Sequence, residues 1–403
     1  MANPSHTATQ PESPSRLIMK VGVTTICRLV LNTARRFAYP FAPVLSRSLG
    51  VPLTAITSLI AVNQATAILG ILFGPLADRL GYRLMMLAGL AMLVAGMFAA
   101  GFFPFYVVLL IALFLAGMGK SIFDPAVQAY ASERVPFRRR GLAIGFLEFA
   151  WAGSTLVGIP VVGLLIDGFG WRSPFFVMGG SGVIGIVLLR FLMPAQEGGL
   201  ERRQQYFLGF RDSLKQLVVK RRALGALGLA LCASIANDNL FVVYGAWIEK
   251  AFNLSIVALG LGTSVIGVAE LLGETLTAAL ADRFGLKRSV ALGLILSTIC
   301  YGMLPFFGKT FSLALVGLFL IFLTFEFMIV TSLSLTTELL TGSRATMMAG
   351  YFATAGIGRV IGALIGGPIW LDGGIFATGL VSACLSGLAL VSLSWGLHGW
   401  QKG

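Results

Sequence analysis

Apolar runs of roughly 20 residues or more recur along the whole chain, separated by short gaps rich in Gly, Pro and charge. A run of that length crosses the hydrocarbon core of a bilayer as a helix. The pattern predicts twelve helical spans, at 20–44, 54–77, 83–103, 105–132, 141–166, 173–193, 222–249, 255–280, 288–307, 310–338, 345–370 and 374–397. Between the sixth and seventh lies the longest polar segment of the interior, Pro194 to Arg222, with Arg202, Arg203, Arg211, Lys215, Lys220 and Arg221. It divides the chain into bundles at 20–193 and 222–403, joined by a loop at 194–221. Residues 1–19 are polar and Ser/Thr/Pro-rich at their start and lack the charged-then-apolar order of a signal peptide, so they read as a disordered tail. The expected fold class is an all-α polytopic membrane protein of two pseudo-symmetric six-helix bundles.

One gap phrase occurs twice. Gly74-Pro75-Leu76-Ala77-Asp78-Arg79-Leu80-Gly81-Tyr82-Arg83 separates the second and third spans, and Leu280-Ala281-Asp282-Arg283-Phe284-Gly285-Leu286-Lys287-Arg288 separates the eighth and ninth. Asp78 and Asp282 stand 204 residues apart. Arg139 and Arg344, and Gly145 and Gly350, are 205 apart, and both fifth spans run Gly-rich to a late proline, Pro160 and Pro368. Duplicated six-span halves are a transporter architecture.

Composition agrees with the spans and sharpens their orientation. The chain is 57% hydrophobic and only 12% charged, with a mean hydropathy of +0.87, which excludes a soluble domain. The net charge of +13 does not signal nucleic-acid binding, because the basic residues sit in short loops on one side. That side holds Arg79, Arg83, Arg134, Arg138, Arg140, the central-loop cluster, Arg283, Lys287, Arg288 and Arg344. Only Arg47, Arg172, Lys250 and Lys309 fall in the opposite loops. Both termini and the central loop are therefore expected in the cytoplasm, in a multi-pass protein of the plasma (inner) membrane. Cys27, Cys232, Cys300 and Cys384 lie in apolar runs without ligand spacing and read as small hydrophobes.

The first phrase matches the G-x-L-a-D-r-x-G-r-k signature of the major facilitator superfamily, and nearly the whole chain resembles that family in span number, central loop and duplication. The second copy has Ala278 where the first has Gly74. The resemblance implies that Gly74, Asp78, Arg79, Gly81 and Arg83, with Asp282, Arg283, Gly285 and Lys287, form a conformational latch. An aspartate there accepts from the next helix start and pairs with arginine. Gly153, Gly158, Pro160 and Gly163 resemble the fifth-span signature of proton-driven exporters, but the spacing is off by a residue, and Ile159 separates Gly158 from Pro160. Ordinary close helix packing explains these glycines equally well. The fourth-span arginine of such exporters is replaced by Leu113 and Phe114, although Gly117 and Gly119 are present and Lys120 is nearby.

Charges within the spans mark candidate chemistry, since each costs at least ~2.5–3.5 kcal/mol at mid-bilayer and needs a cavity or a partner. Span one carries Arg28, Arg35 and Arg36, span four Asp124, span seven Asp238 and span ten Glu326. The family lines its central cavity with these four spans. Arg36 and Asp238 lie at similar depths in equivalent spans and are expected to face each other. Arg35 points elsewhere. Glu148, Glu270, Glu274 and Arg359 add charge to spans five, eight and eleven. Glu270 and Glu274 are i,i+4, so one is expected to hold a proton. Arg28 and Lys120 read as static partners, Lys120 for Asp124. Arg36, Asp238 and Glu326 read as functional, and Glu148, Glu270, Glu274 and Arg359 fit either role. Asn32, Asn63, Gln64, Gln128, Asn237 and Asn239 suit a polar substrate. Phe37, Tyr39, Trp151, Tyr244 and Trp247 read as packing or interface anchors.

These features predict a secondary transporter, a bacterial efflux-type member of the family, moving a small organic solute by alternating access as a functional monomer, with protons as the coupling ion. An organic-anion or facilitative carrier using Arg36 and Arg359 is the alternative within transport. A receptor or scaffold needs neither the polar interior nor paired latches. An enzyme is not expected: there is no phosphate-binding lysine loop and no metal cluster, and His6 and His398 lie at the chain ends. Neither a cofactor nor a metal is expected.

Overall fold

The structure, a computed structural model, describes residues 14–134, 147–193, 219–340 and 344–399. The described residues are helical almost throughout: α1 Pro14–Arg36, α2 Ala42–Leu49, α3 Leu53–Leu80, α4 Tyr82–Phe102, α5 Tyr106–Arg134, α6 Leu147–Phe169 and α7 Ser173–Leu192 in the first half. The second half holds α8 Arg221–Phe241, α9 Tyr244–Phe252, α10 Ile256–Phe284, α11 Leu286–Gly302, α12 Leu304–Phe307, α13 Phe311–Leu339 and α14 Arg344–Gly396. Nine helices among the described residues are long and apolar enough to cross a membrane. One of them, α14, reverses at Gly374, where φ is 60° and ψ −155°, a conformation that only glycine adopts readily. Its first leg runs parallel to α8, with Gly358 against Ser234 and Gly366 against Asn239. Its second leg returns antiparallel, with Thr378 beside Asn239 and Gly396 against Gly225. With α1–α2 and α11–α12, the arrangement accommodates twelve passes. The central loop, the tail and the start of the fifth span lie largely outside the described residues.

Two expected spans are not continuous helices. The first breaks at 37–41, near Pro40 and Pro43, and the seventh breaks at Val242 and Val243. The breaks are repeat mates: Tyr39 and Tyr244, and Pro40 and Gly245, are each 205 residues apart. They also pack on each other, because a Cβ at Gly245 would lie 2.7 Å from Pro40 Cα. Phe241 stacks on Tyr39 with ring centroids 4.2 Å apart.

Across the halves, α6 runs antiparallel to α10 and α3 to the first leg of α14. Small residues permit both contacts: Gly163 faces Gly260, Gly267 faces Leu156, and Gly367 faces Thr57. The outer faces are apolar. On α7, Ile184, Val187, Leu188 and Phe191 are exposed, a surface suited to lipid rather than water.

The 80–82 and 284–286 turns define one side of the bundle, called the junction side here. On the far side a single hydrophobic core joins both halves, from Phe37, Phe41 and Leu45 to Val242, Tyr244 and Leu318. Toward the junction side the second half has its own separate core, including Leu229, Leu294, Met328 and Tyr351. The halves are thus sealed together at the far side, and among the described residues no continuous apolar core joins them at the junction side.

Candidate functional site

The polar groups of the interior fall into three clusters. The first ties the first half to itself. Arg28 on α1 donates from Nε to Asp124 Oδ1 at 3.0 Å and from Nη1 to Glu148 Oε1 at 2.9 Å and the Leu147 carbonyl at 2.8 Å. Lys120 Nζ lies 2.5 Å from Asp124 Oδ2, one turn away on α5. Gln128 donates to the same Glu148 oxygen at 3.3 Å. Asp124 and Glu148 each accept from two side chains, which locks α1, α5 and α6 together as the static reading of Arg28 and Lys120 expects.

The second cluster crosses between halves. Arg36, the last residue of α1, donates to both oxygens of Glu270 on α10, at 2.5 and 3.2 Å. Thr155 donates to Glu270 Oε2 at 3.2 Å. The guanidinium carbon sits 4.3 Å above the Trp151 ring and 5.5 Å from that of Phe241. Both charged side chains are almost fully buried, at 4% and 3% exposure. Two-point contact and an aromatic face suit arginine and not lysine.

The third cluster surrounds Asp238. Tyr39 donates to Asp238 Oδ1 at 2.9 Å, Gln64 Nε2 donates to the Tyr39 hydroxyl, and Arg35 Nη2 donates to Gln64 Oε1 at 2.5 Å. Arg359 acts electrostatically on Asp238, but makes no hydrogen bond or ion pair among the described residues. Glu326, packed over Gly273, lies in the fields of Glu270, Glu274, Arg36 and Arg359. Glu274, one turn from Glu270 toward the junction side, lies in the fields of Glu148, Glu270 and Glu326.

Several expectations need correction. Arg36 does not face Asp238; it pairs with Glu270, and Asp238 is held by Tyr39. Depth along equivalent spans is the wrong guide, because the helix breaks at 37–41 and 242–243 turn Tyr39 toward Asp238. Of Glu270 and Glu274, it is Glu270 that lies against an arginine. Arg35 is also inside, so both adjacent arginines enter the polar interior. Tyr39 and Trp151 are more than packing. Thr155 is a site residue that sequence reasoning missed. Its signal was present: it stands one turn from Trp151 on the helix that faces α10.

The fifth-span spacing has a local explanation. Residues Ser154–Gly158 form a π turn, which takes up one extra residue before Pro160. Pro160 carries no N–H to donate, and the Leu156 carbonyl accepts from Ser264 on α10 at 3.3 Å.

At the junction side, Gly81 and Gly285 close their turns with φ of 86° and 83°. Positive φ at both explains why each copy has glycine there. Arg83 donates to the Arg190 carbonyl at 2.8 Å and Lys287 to the Leu397 carbonyl at 2.7 Å. Arg283 is exposed. The side chains of Asp78, Arg79 and Asp282, and the surroundings of Gly74, lie outside the described residues. No group of three His, Cys, Asp or Glu suited to a metal is found among the described residues.

This arrangement, two bundles with an ion pair between them, can be compared with known proteins. The family model for the Major Facilitator Superfamily matches residues 24–236 and 226–398. The chain belongs to this superfamily. It is 25% identical over 304 residues to the MFS-type transporter YceJ of Bacillus subtilis (strain 168), covering 75% of this chain and 77% of that one. It is 27% identical over 312 residues to the Multidrug resistance protein MdtG of Salmonella newport (strain SL254), covering 73% and 74%. A single-residue mutant of the nucleoside transporter NupG superposes with a TM-score of 0.78 at 13% identity, covering 96% of this chain and 100% of that one. A peptide transporter POT in complex with sulfate gives 0.77 at 14%, covering 94% of each. At such identities the structural likeness shows the fold alone. As a member of the superfamily, the protein is a multi-pass membrane transporter of small molecules.

Proposed function

We propose that this transporter exports a small organic solute in exchange for protons, by alternating access, as a monomer in the plasma (inner) membrane with both termini cytoplasmic. The observation that carries the reading is the Arg36–Glu270 pair, buried where the two halves meet. Opening the far side draws α1 and α10 apart, and with them the two charges. Breaking a buried pair and leaving one charge unpartnered costs about 3–5 kcal/mol. Arginine cannot give up its proton in a protein, whereas a glutamate can take one. A proton on Glu270 removes one of the two charges and lowers the cost of parting. Glu274 and Glu326 lie beside Glu270 as further proton acceptors. A cytoplasmic junction side is supported by the Lys/Arg bias of the loops, and export by the name of the MdtG relative, a multidrug resistance protein.

The test is flux through purified protein in proteoliposomes under an imposed pH gradient, over sugars, amino acids, organic acids and cationic drugs. The proposal expects at least one solute to be driven against its gradient by protons moving the other way, with loss of drive on adding a protonophore. Solute flux indifferent to the pH gradient overturns proton coupling. Glu270→Gln is expected to abolish the drive while the protein still inserts and exchanges solute at zero gradient.

A further inference from the structure

We infer that the substrate carries an anionic group, a carboxylate or a phosphonate, and that Arg35 and Arg359 bind it from opposite halves. The inference deepens the transport reading above by naming its substrate class. It begins with Arg35, which is 6% exposed and has one hydrogen-bond partner, the neutral Gln64. Its Nε is buried without any partner. Asn32, on the same face of α1 one turn earlier, leaves both its amide oxygen and its amide nitrogen buried and unpaired. On the opposing half, Ser234, one turn before Asp238, leaves its hydroxyl unpaired as well. Buried polar atoms are normally satisfied, so these exceptions, one of them on a charged side chain, point to a ligand.

Arg359 completes the site from the other half. Its helix lies against α3 at Gly356, beside Ala67 and Ile68, and against α8 at Gly362, beside Asp238. That places Arg359 between Gln64's helix and Asp238, in the electrostatic field of both Arg35 and Asp238. Neither guanidinium has a carboxylate within hydrogen-bond distance among the described residues. Glu326 also acts on Arg359, but it acts on Arg36 as well and sits beside Glu270 and Glu274, while Asp124 acts on Arg35 but already accepts from Arg28 and Lys120. Two guanidiniums facing one aspartate leave one positive charge without a close partner. An oxyanion supplies that charge with two or three acceptor oxygens, the geometry an arginine fork matches. A cation at this place would add to the excess. Because the two arginines belong to different halves, an anion held by both draws the halves together, which ties occupancy to the transport state.

The experiment uses the full chain, purified in detergent, with unfolding temperature as the readout at constant ionic strength. The probes are benzoate, phenylphosphonate and tetraphenylphosphonium. A saturable rise with benzoate, phenylphosphonate or both is expected, and the preferred anion identifies the headgroup. Arg35→Gln and Arg359→Gln are each expected to weaken half-saturation by about tenfold or more, the loss of one charge-assisted contact. Arg359→Lys keeps the charge and is expected to lose less. Saturable stabilisation by tetraphenylphosphonium with none by either anion overturns the inference, as does an unchanged half-saturation in both glutamine variants. No saturable shift from either anion with the unmodified protein also overturns it, independently of how any variant folds. Anion binding without pH-driven flux defeats proton coupling and leaves the anion site standing. Proton-driven flux of a cation, untouched by Arg35→Gln, does the reverse.

Discussion

Arg83 and Lys287, 204 residues apart, make the same bond in the two halves: each reaches from the first turn of a helix to a carbonyl at the end of the last helix of its own bundle, Arg190 and Leu397. A cation at a helix C-terminus offsets the unsatisfied carbonyls and the negative end of the dipole. The duplication is therefore preserved in a bond as well as in a phrase, and the bond links the third span of each half to the sixth.

Replacing either cation by glutamine removes that cap. Each single change is expected to lower stability by about 0.3–1 kcal/mol, seen as a small fall in unfolding temperature. Since the two sites lie in different halves, the double variant should show the sum. A double variant no worse than the weaker single would show that the two caps are not independent.

Tyr39 and Asp238 form a bond between halves, so its loss should favour the state with the far side open. A hydrogen bond to a charged group is worth about 1.5–3 kcal/mol. Tyr39→Phe is then expected to raise the open population by one order of magnitude or more. The check is the labelling rate of a cysteine placed at Ala42, which is fully buried in this state. An unaltered rate would mean that this bond does not hold the far side shut.

Gly245 meets Pro40 so closely that no side chain fits between them. Gly245→Ala should exclude the closed far side while leaving each bundle folded, because the clash lies between the halves. The same Ala42 cysteine should label faster, and transport should fall severalfold. Slow labelling with normal transport would show that the backbone gives way at little cost.

The π turn before Pro160 fixes which face of α6 meets α10. Inserting an alanine after Val157 adds a residue that the turn has not absorbed and rotates everything after it by about 100°. Gly163 then leaves Gly260. The expected result is a strongly destabilised protein, measured by unfolding in detergent, whereas Ser264→Ala should cost only about 0.5–1.5 kcal/mol. Equal stability of the insertion and the parent would mean that the register after the π turn is not structurally used.

The fold was readable because span length is set by the bilayer and the repeated charged turn marks the duplication. Asp78 and Asp282 alone located the two halves. The polar interior was readable in part, since charges such as Arg36 and Glu270 are too costly in lipid to lack a role. Their pairing was not readable. Arg36 meets Glu270 because Gly163, Gly260 and Gly267 let α6 and α10 approach, a contact between helices roughly 100 residues apart in the chain. Asp238 meets Tyr39 because α1 breaks after Arg36, and neither Pro40 nor Pro43 says in which direction the chain will turn. The off-by-one spacing at Ile159 was visible, but only the backbone shows that a π turn absorbs it.

The account depends most on Glu270 acting as the releasable half of the bond between bundles. The direct measurement is the distance between spin labels on far-side loops of opposite halves, at Phe103 and Lys309, in protein with its four cysteines replaced, followed as a function of pH. The account predicts a short distance at high pH that lengthens as pH falls, and a long distance at every pH in Glu270→Gln. A Glu270→Gln protein that stays short, or that follows pH as the parent does, would contradict it.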